Sequence, residues 1–132
     1  MNVSMNSNNK KLVIHLVSDS TGETLRSVGA AAAAQFKEFK YEENVYPLIR
    51  SQKNLERIFE KIKTNPGIVL CTLIDDEIRE QLESFCKENN LSYLPFMDNI
   101  ISLIENETGV KAIKQPGTQH QLDEEYFRRI EA

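Results

Sequence analysis

KLVIHLVSDSTGETLRSVGAAAAAQF, residues 11–36, decides the fold of this chain. Residues 12–17 are almost unbroken apolar sequence, as in a strand covered on both faces. The polar run Ser18, Asp19, Ser20, Thr21, Gly22, Glu23 then breaks it. Ser20 followed three residues later by Glu23 predicts a capping box, in which each side chain satisfies a backbone N–H left unpaired at the helix start. Leu25, Val28, Gly29, Ala32 and Phe36 follow at helical spacing and predict one apolar stripe. The alanine run 30–34 predicts a thin helix wall lying close to a sheet.

A strand that runs into a helix N-terminus gathers unpaired N–H groups and a partial positive charge at one spot, which suits an anion. Ser18, Ser20 and Thr21 add hydroxyls, and Gly22 allows close backbone approach. Asp19 and Glu23 oppose an anion unless protonated or bridged by a cation. Two readings of residues 18–23 stay open: a phosphate- or ligand-binding loop, and a well-capped turn. Neither GxxxxGK[ST] nor GxGxxG occurs, so no standard nucleotide fingerprint is present.

Downstream, residues 43–49 read as a second strand, placed at or near a sheet edge because Pro47 lacks a donor. Arg50 stands at its end as a candidate anion contact. Ser51 caps a helix with the apolar face Leu55, Ile58, Phe59, Ile62, ended by Asn65-Pro66-Gly67. Residues 68–73 form the most buried-looking strand. Asp75 caps the next helix, with the stripe Ile78, Leu82, Phe85, Cys86. Residues 91–94 make a short fourth strand stopped by Pro95. Asp98 opens a helix carrying Ile100, Ile101, Leu103 and Ile104, and Gly109 ends it. Strand and helix alternate four times, which gives an α/β fold. The expected architecture is a parallel sheet of about four strands with helices on both faces, Rossmann-like or flavodoxin-like, plus a C-terminal arm and helix. In such sheets ligands bind at the carboxyl ends of the strands, beside a switch in strand order. Four loops, Ser18 to Glu23, Arg50 to Ser51, Ile74 to Asp76 and Pro95 to Asp98, therefore compete for one edge.

The expected organisation is a disordered polar leader at 1–10, an α/β domain at 11–109, and a linker arm and helix at 110–132. A net charge of −4 argues against broad nucleic-acid binding. The leader lacks an apolar core, so it is no signal peptide, and a cytoplasmic location with reduced, buried Cys71 and Cys86 is expected. Two cysteines and two scattered histidines show no metal-ligand spacing. His15, in mid-strand, reads as a satisfied core or face residue.

HLVSDSTGET at 15–24, with the alanine-rich helix after it, resembles the opening of the pyruvate, phosphate dikinase and phosphoenolpyruvate synthase regulatory proteins. Residues 66–73 with Asp75 and Arg79, and the arm carrying Pro116-Gly117, His120 and LDEEYFRRIEA at 122–132, look like the same family. The resemblance covers nearly everything after Lys11. It implies a bifunctional parent protein: an ADP-dependent Ser/Thr kinase that phosphorylates a threonine of the dikinase or synthase. The same parent is a phosphate-dependent phosphorylase that removes the group and releases diphosphate. ADP or ATP and phosphate are the parent's cofactors by this resemblance, held by a P-loop downstream of the YFRRIEA helix, and no cofactor is expected in this chain. The chain then reads as the N-terminal half, inactive alone, with catalytic residues unassigned. Its expected partners are the dikinase or synthase and a second copy of itself, with no nucleic acid and no membrane. His120, Tyr126 and Arg128 are the candidate interdomain residues. Three functions compete: an accessory domain that docks the target or completes the active site, a small-ligand or anion-binding module, and a dimerisation scaffold.

Overall fold

The structure, a computed structural model, describes residues 11–115. The chain forms β1 (Lys11–Val17), α1 (Glu23–Ala33), β2 (Lys40–Tyr46), α2 (Gln52–Thr64), β3 (Ile68–Cys71), α3 (Asp76–Glu88), β4 (Tyr93–Pro95) and α4 (Phe96–Thr108). The four strands make one parallel sheet in the order β2-β1-β3-β4. Of the two expected architectures this order is the flavodoxin-like one. β1 pairs with β2 along its whole length, from Lys11 opposite Lys40 to Val17 opposite Tyr46. On its other side β1 pairs with β3, from Ile14 opposite Ile68 to Val17 opposite Cys71.

Alternate residues of each strand face opposite ways. Val17, Val69, Cys71 and Leu73 meet Leu55, Ile58 and Ile62 of α2 and Leu82, Phe85 and Cys86 of α3 in the larger core. Phe59 and Phe85 stack at 4.0 Å between ring centroids and tie the two helices. Ile14 and Leu16 face the other way, against Leu25 of α1 and Phe96 of α4. Helices therefore cover both faces. Both cysteines are free and buried, and burial pushes the Cys86 thiol up to about 12.

Caps behave as their chemistry requires at α2 and α3. Ser51 accepts from Asn54 N–H at 3.1 Å and Asp75 from Ile78 N–H at 3.0 Å. Gly109 closes α4 in the left-handed conformation. His15 is buried, as expected for a core residue. Its Nε2 donates to the Asn65 carbonyl at 2.7 Å, and its Nδ1 is hydrogen-bonded with the Tyr46 hydroxyl at 3.0 Å.

Four expectations are corrected. Ser20 and Glu23 form no capping box: the N-cap of α1 is Gly22, with no side-chain cap. The Ser20 carbonyl accepts Leu48 N–H and its own N–H donates to Ser18 Oγ, so Ser20 belongs to the sheet edge and the helix begins three residues later. α1 ends at Ala33, and Phe36 is 55% exposed, edge-on to Phe39 instead of in the stripe. Ala30, Ala31, Ala32 and Ala34 are exposed, and only Leu25 and Gly29 of α1 are buried. The second strand sits at the edge as expected but spans 40–46, because Pro47 donates nothing and Leu48 turns left-handed at φ 59°. α4 starts directly after Pro95, and none of its residues is buried. Its 13 residues extend about 20 Å, whereas the three residues of β4 cover about 10 Å. Past α4, Lys114 pairs with Asp76 at 3.0 Å and Ala112 N–H with Glu105 at 2.9 Å. The expected leader and most of the C-terminal arm lie outside the described residues.

Gly67 opens β3 against β1, and a Cβ there would stand 2.8 Å from the Val13 carbonyl carbon, on backbone that cannot swing away. Gly67→Ala is expected to destabilise the fold by about 2–4 kcal/mol through displaced β1–β3 pairing. Urea unfolding would show a lower midpoint at unchanged slope.

Candidate functional site

Strand order reverses between β1 and β3, so their carboxyl ends form the crevice where an open α/β sheet binds ligands. Pairing continues past the strands and fixes the loop after β1 on both sides. Ser18 N–H donates to the Tyr46 carbonyl at 3.0 Å, Ile49 N–H to the Ser18 carbonyl at 2.9 Å, and Thr72 N–H to the Val17 carbonyl at 3.0 Å. The Ser18 hydroxyl is buried at 1% exposure, accepting from Ser20 N–H at 3.0 Å and Thr72 Oγ1 at 3.3 Å. It ties the β1 and β3 loops together from within.

Asp19 is the buried acid of this edge, 3% exposed. Its Oδ2 accepts Ile74 N–H at 2.8 Å, while Oδ1 is buried with no hydrogen-bond partner. Arg50 donates from Nε to the Asp19 carbonyl at 2.7 Å, which brings the guanidinium over the loop. Asp19, Arg50 and Asp75 line one small cavity of about 40 Å³ with Ile49, Leu73 and Ile78. Three residues singled out in sequence from three separate loops thus meet. The apolar walls and the Ile74 and Thr72 contacts were not legible, because each is set by how β3 registers against β1.

Thr21 and Glu23 are exposed and do not line this cavity, and a long contact of 3.5 Å runs from Glu23 N–H to Thr21 Oγ1. Gly22 is buried at φ 89°, and a Cβ there would stand 2.8 Å from Val45 Cγ1. Its glycine serves the turn and the packing on β2. His120, Tyr126 and Arg128 lie outside the described residues. Among the described residues no group of three or more His, Cys, Asp or Glu could hold a metal ion. None of their helices is long and apolar enough to cross a membrane. A larger surface groove of about 560 Å³ runs between α2 and α3, lined by the acidic Glu56, Glu77, Glu80 and Glu88.

A profile of the kinase/pyrophosphorylase family matches residues 14–132. The chain belongs to the kinase/pyrophosphorylase family. Proteins named as pyruvate, phosphate dikinase regulatory proteins are similar to it. That of Chelativorans sp. (strain BNC1) is 42% identical over 119 residues, 90% of this chain and 44% of that protein. Those of Rhodopseudomonas palustris (strain HaA2) and Erythrobacter litoralis (strain HTCC2594) are 46% and 41% identical, over 90% and 93% of this chain and 43% and 44% of theirs. This kinase/pyrophosphorylase chain spans a little under half the length of the curated relatives it matches. The cavity and its acid lie inside the matched residues.

Burial pushes the Asp19 carboxyl above its ordinary value of 3.8, against the opposing pull of Ile74 N–H and Arg50. The folded protein therefore holds this proton to higher pH than the unfolded chain does. The resulting stability is full below the ordinary value and is lost as pH rises through the raised one. Asp19→Asn removes that loss. Its stability relative to wild type is expected to rise as pH goes from about 3 to about 7. Urea unfolding of both proteins across this range checks it, and parallel curves would contradict it.

Proposed function

We propose that this chain is the domain that docks the target, or completes the active site, in a bifunctional regulatory protein. In this reading the whole protein uses ADP to phosphorylate a threonine of pyruvate, phosphate dikinase or phosphoenolpyruvate synthase. It removes the group with phosphate, releasing diphosphate, in the cytoplasm. The observation that carries the reading is the family match across residues 14–132, joined to relatives named for regulating the dikinase. The 132 residues contain no GxxxxGK[ST] run, and phosphoryl transfer depends on such positioning and charge stabilisation of the phosphates. In this reading the nucleotide is held outside these 132 residues.

Within that reading, the outer rim of the β1 loop is the anion-facing surface. The Arg50 guanidinium holds the Asp19 carbonyl, and the exposed Thr21 and the start of α1 at Glu23 follow within four residues of it. This geometry also supports a second reading, a small-anion-binding module.

The assay compares the 132-residue chain with the full-length protein on dikinase and on synthase, with ADP. Full-length protein is expected to phosphorylate one of the two, and the shorter chain neither. An excess of the shorter chain is expected to inhibit the full-length protein by occupying the target. Phosphorylation by the 132-residue chain alone would overturn the assignment. Inorganic phosphate titrated into the chain is expected to shift the amides of residues 20–24 saturably, with the shifts lost in Thr21→Val and Arg50→Gln. A flat titration in the chain and in the full-length protein would leave only a turn.

A further inference from the structure

α4 carries more apolar surface than the described domain covers. Its sequence holds Phe96, Ile100, Ile101, Leu103 and Ile104, yet none of its residues is buried. Leu103, Ile104, Val110 and Ile113 are each more than half exposed. A groove of about 340 Å³ runs between α4 and the residues after it, with Ile101, Ile104, Val110 and Ala112 as its apolar walls. Apolar surface gathered in one place marks an interaction site.

The path of the chain points to the occupant. Gly109 ends α4, and residues 110–112 then line the groove themselves. Ala112 N–H donates back to Glu105 of α4 at 2.9 Å. Lys114, left-handed at φ 55°, is tied to both Asp76 carboxylate oxygens at 3.0 and 3.2 Å. The chain therefore leaves the groove on a fixed path between α4 and α3. The next residues in sequence include Pro116-Gly117, which has the chemistry of a reversing turn. After it Leu122, Tyr126 and Ile130 stand four residues apart, with Phe127 beside Tyr126, the spacing of one apolar helix side. Residues 115–122 span at most about 25 Å, enough to return along the 13 residues of α4, which extend about 20 Å.

A second copy of the chain would also cover apolar surface, but it must give up its rigid-body freedom to do so. A segment on so short a tether faces the groove at an effective concentration on the order of millimolar. The tether favours the segment.

We propose that residues 122–132, which lie outside the described ones, dock as a helix on the α4 groove of their own chain. The side carrying Leu122, Tyr126 and Ile130 covers Ile101, Ile104 and Val110. This docking does not depend on the proposed kinase role.

The test places a nitroxide on the 132-residue chain through Glu131→Cys. Cys71 and Cys86 are buried, so the label goes to the new thiol. In dilute solution the label is expected to broaden the amides of Ile101, Ile104, Thr108 and Ala112. Ile104→Glu and Tyr126→Ser are each expected to abolish that broadening. Ile104 is an exposed position and Tyr126 lies outside the described domain, so neither change removes its core. Unchanged amide shifts of β1 and β3 check this. In a mixture of nitroxide-bearing chains with isotope-labelled chains lacking the nitroxide, the same amides are expected to stay sharp. Absence of broadening within the chain would overturn the docking. So would broadening that passes between chains in the mixture, which assigns the groove to a second copy. Broadening that survives Ile104→Glu or Tyr126→Ser would overturn it too.

Discussion

Strand β1 lies between two neighbours. β2 pairs with it along its whole length, β3 pairs with its second half, and both pairings run on into the loops beyond. The loop after β1 is consequently held as tightly as a strand, by Tyr46, Leu48 and Ile49 on one side and Thr72 and Ile74 on the other. That constraint explains why a run of five polar residues with one glycine can be half buried without unravelling. It also explains why α1 cannot begin at Ser20. The backbone there is committed to the sheet, and Gly22 must turn left-handed before a helix is possible.

The two faces of the sheet are unequal. α2 and α3 bury five large apolar side chains and Cys86 between them, whereas α1 buries Leu25 and Gly29, and α4 buries nothing. α4 is held instead by Phe96 against the sheet and by Arg79 reaching Asp98 at 3.4 Å. Leu103, 69% exposed, Ile104, Val110 and Ile113 leave an apolar surface on that side. Most of the stability of the described domain therefore comes from the α2–α3 face, since burial scales with apolar area removed from water.

Much of this was legible in the sequence. The apolar run 12–17 gave the central strand, Pro47 gave the edge position of β2, and Ser51, Asp75 and Gly109 gave helix ends, because each of those signals acts within a few residues. Signals whose meaning depends on distant partners failed. Ser20 and Glu23 have capping-box spacing, but the Leu48 N–H reaches Ser20 from across the sheet and claims its carbonyl. The alanine run has helical spacing, yet methyl groups offer too little area to hold that end of α1 against the sheet. The site was legible as a set of loops, not as a cavity. Strand order had to place β3 beside β1 before Asp19 could meet Leu73, Ile74 and Asp75.

Asp19 is where local stability and function pull apart. A carboxylate at this depth is desolvated, and one of its oxygens is left unmatched. If its role were only to bridge the β1 and β3 loops, one acceptor for Ile74 N–H would suffice, and a neutral asparagine would provide it without the charge. The second oxygen is superfluous for the fold and costly to it.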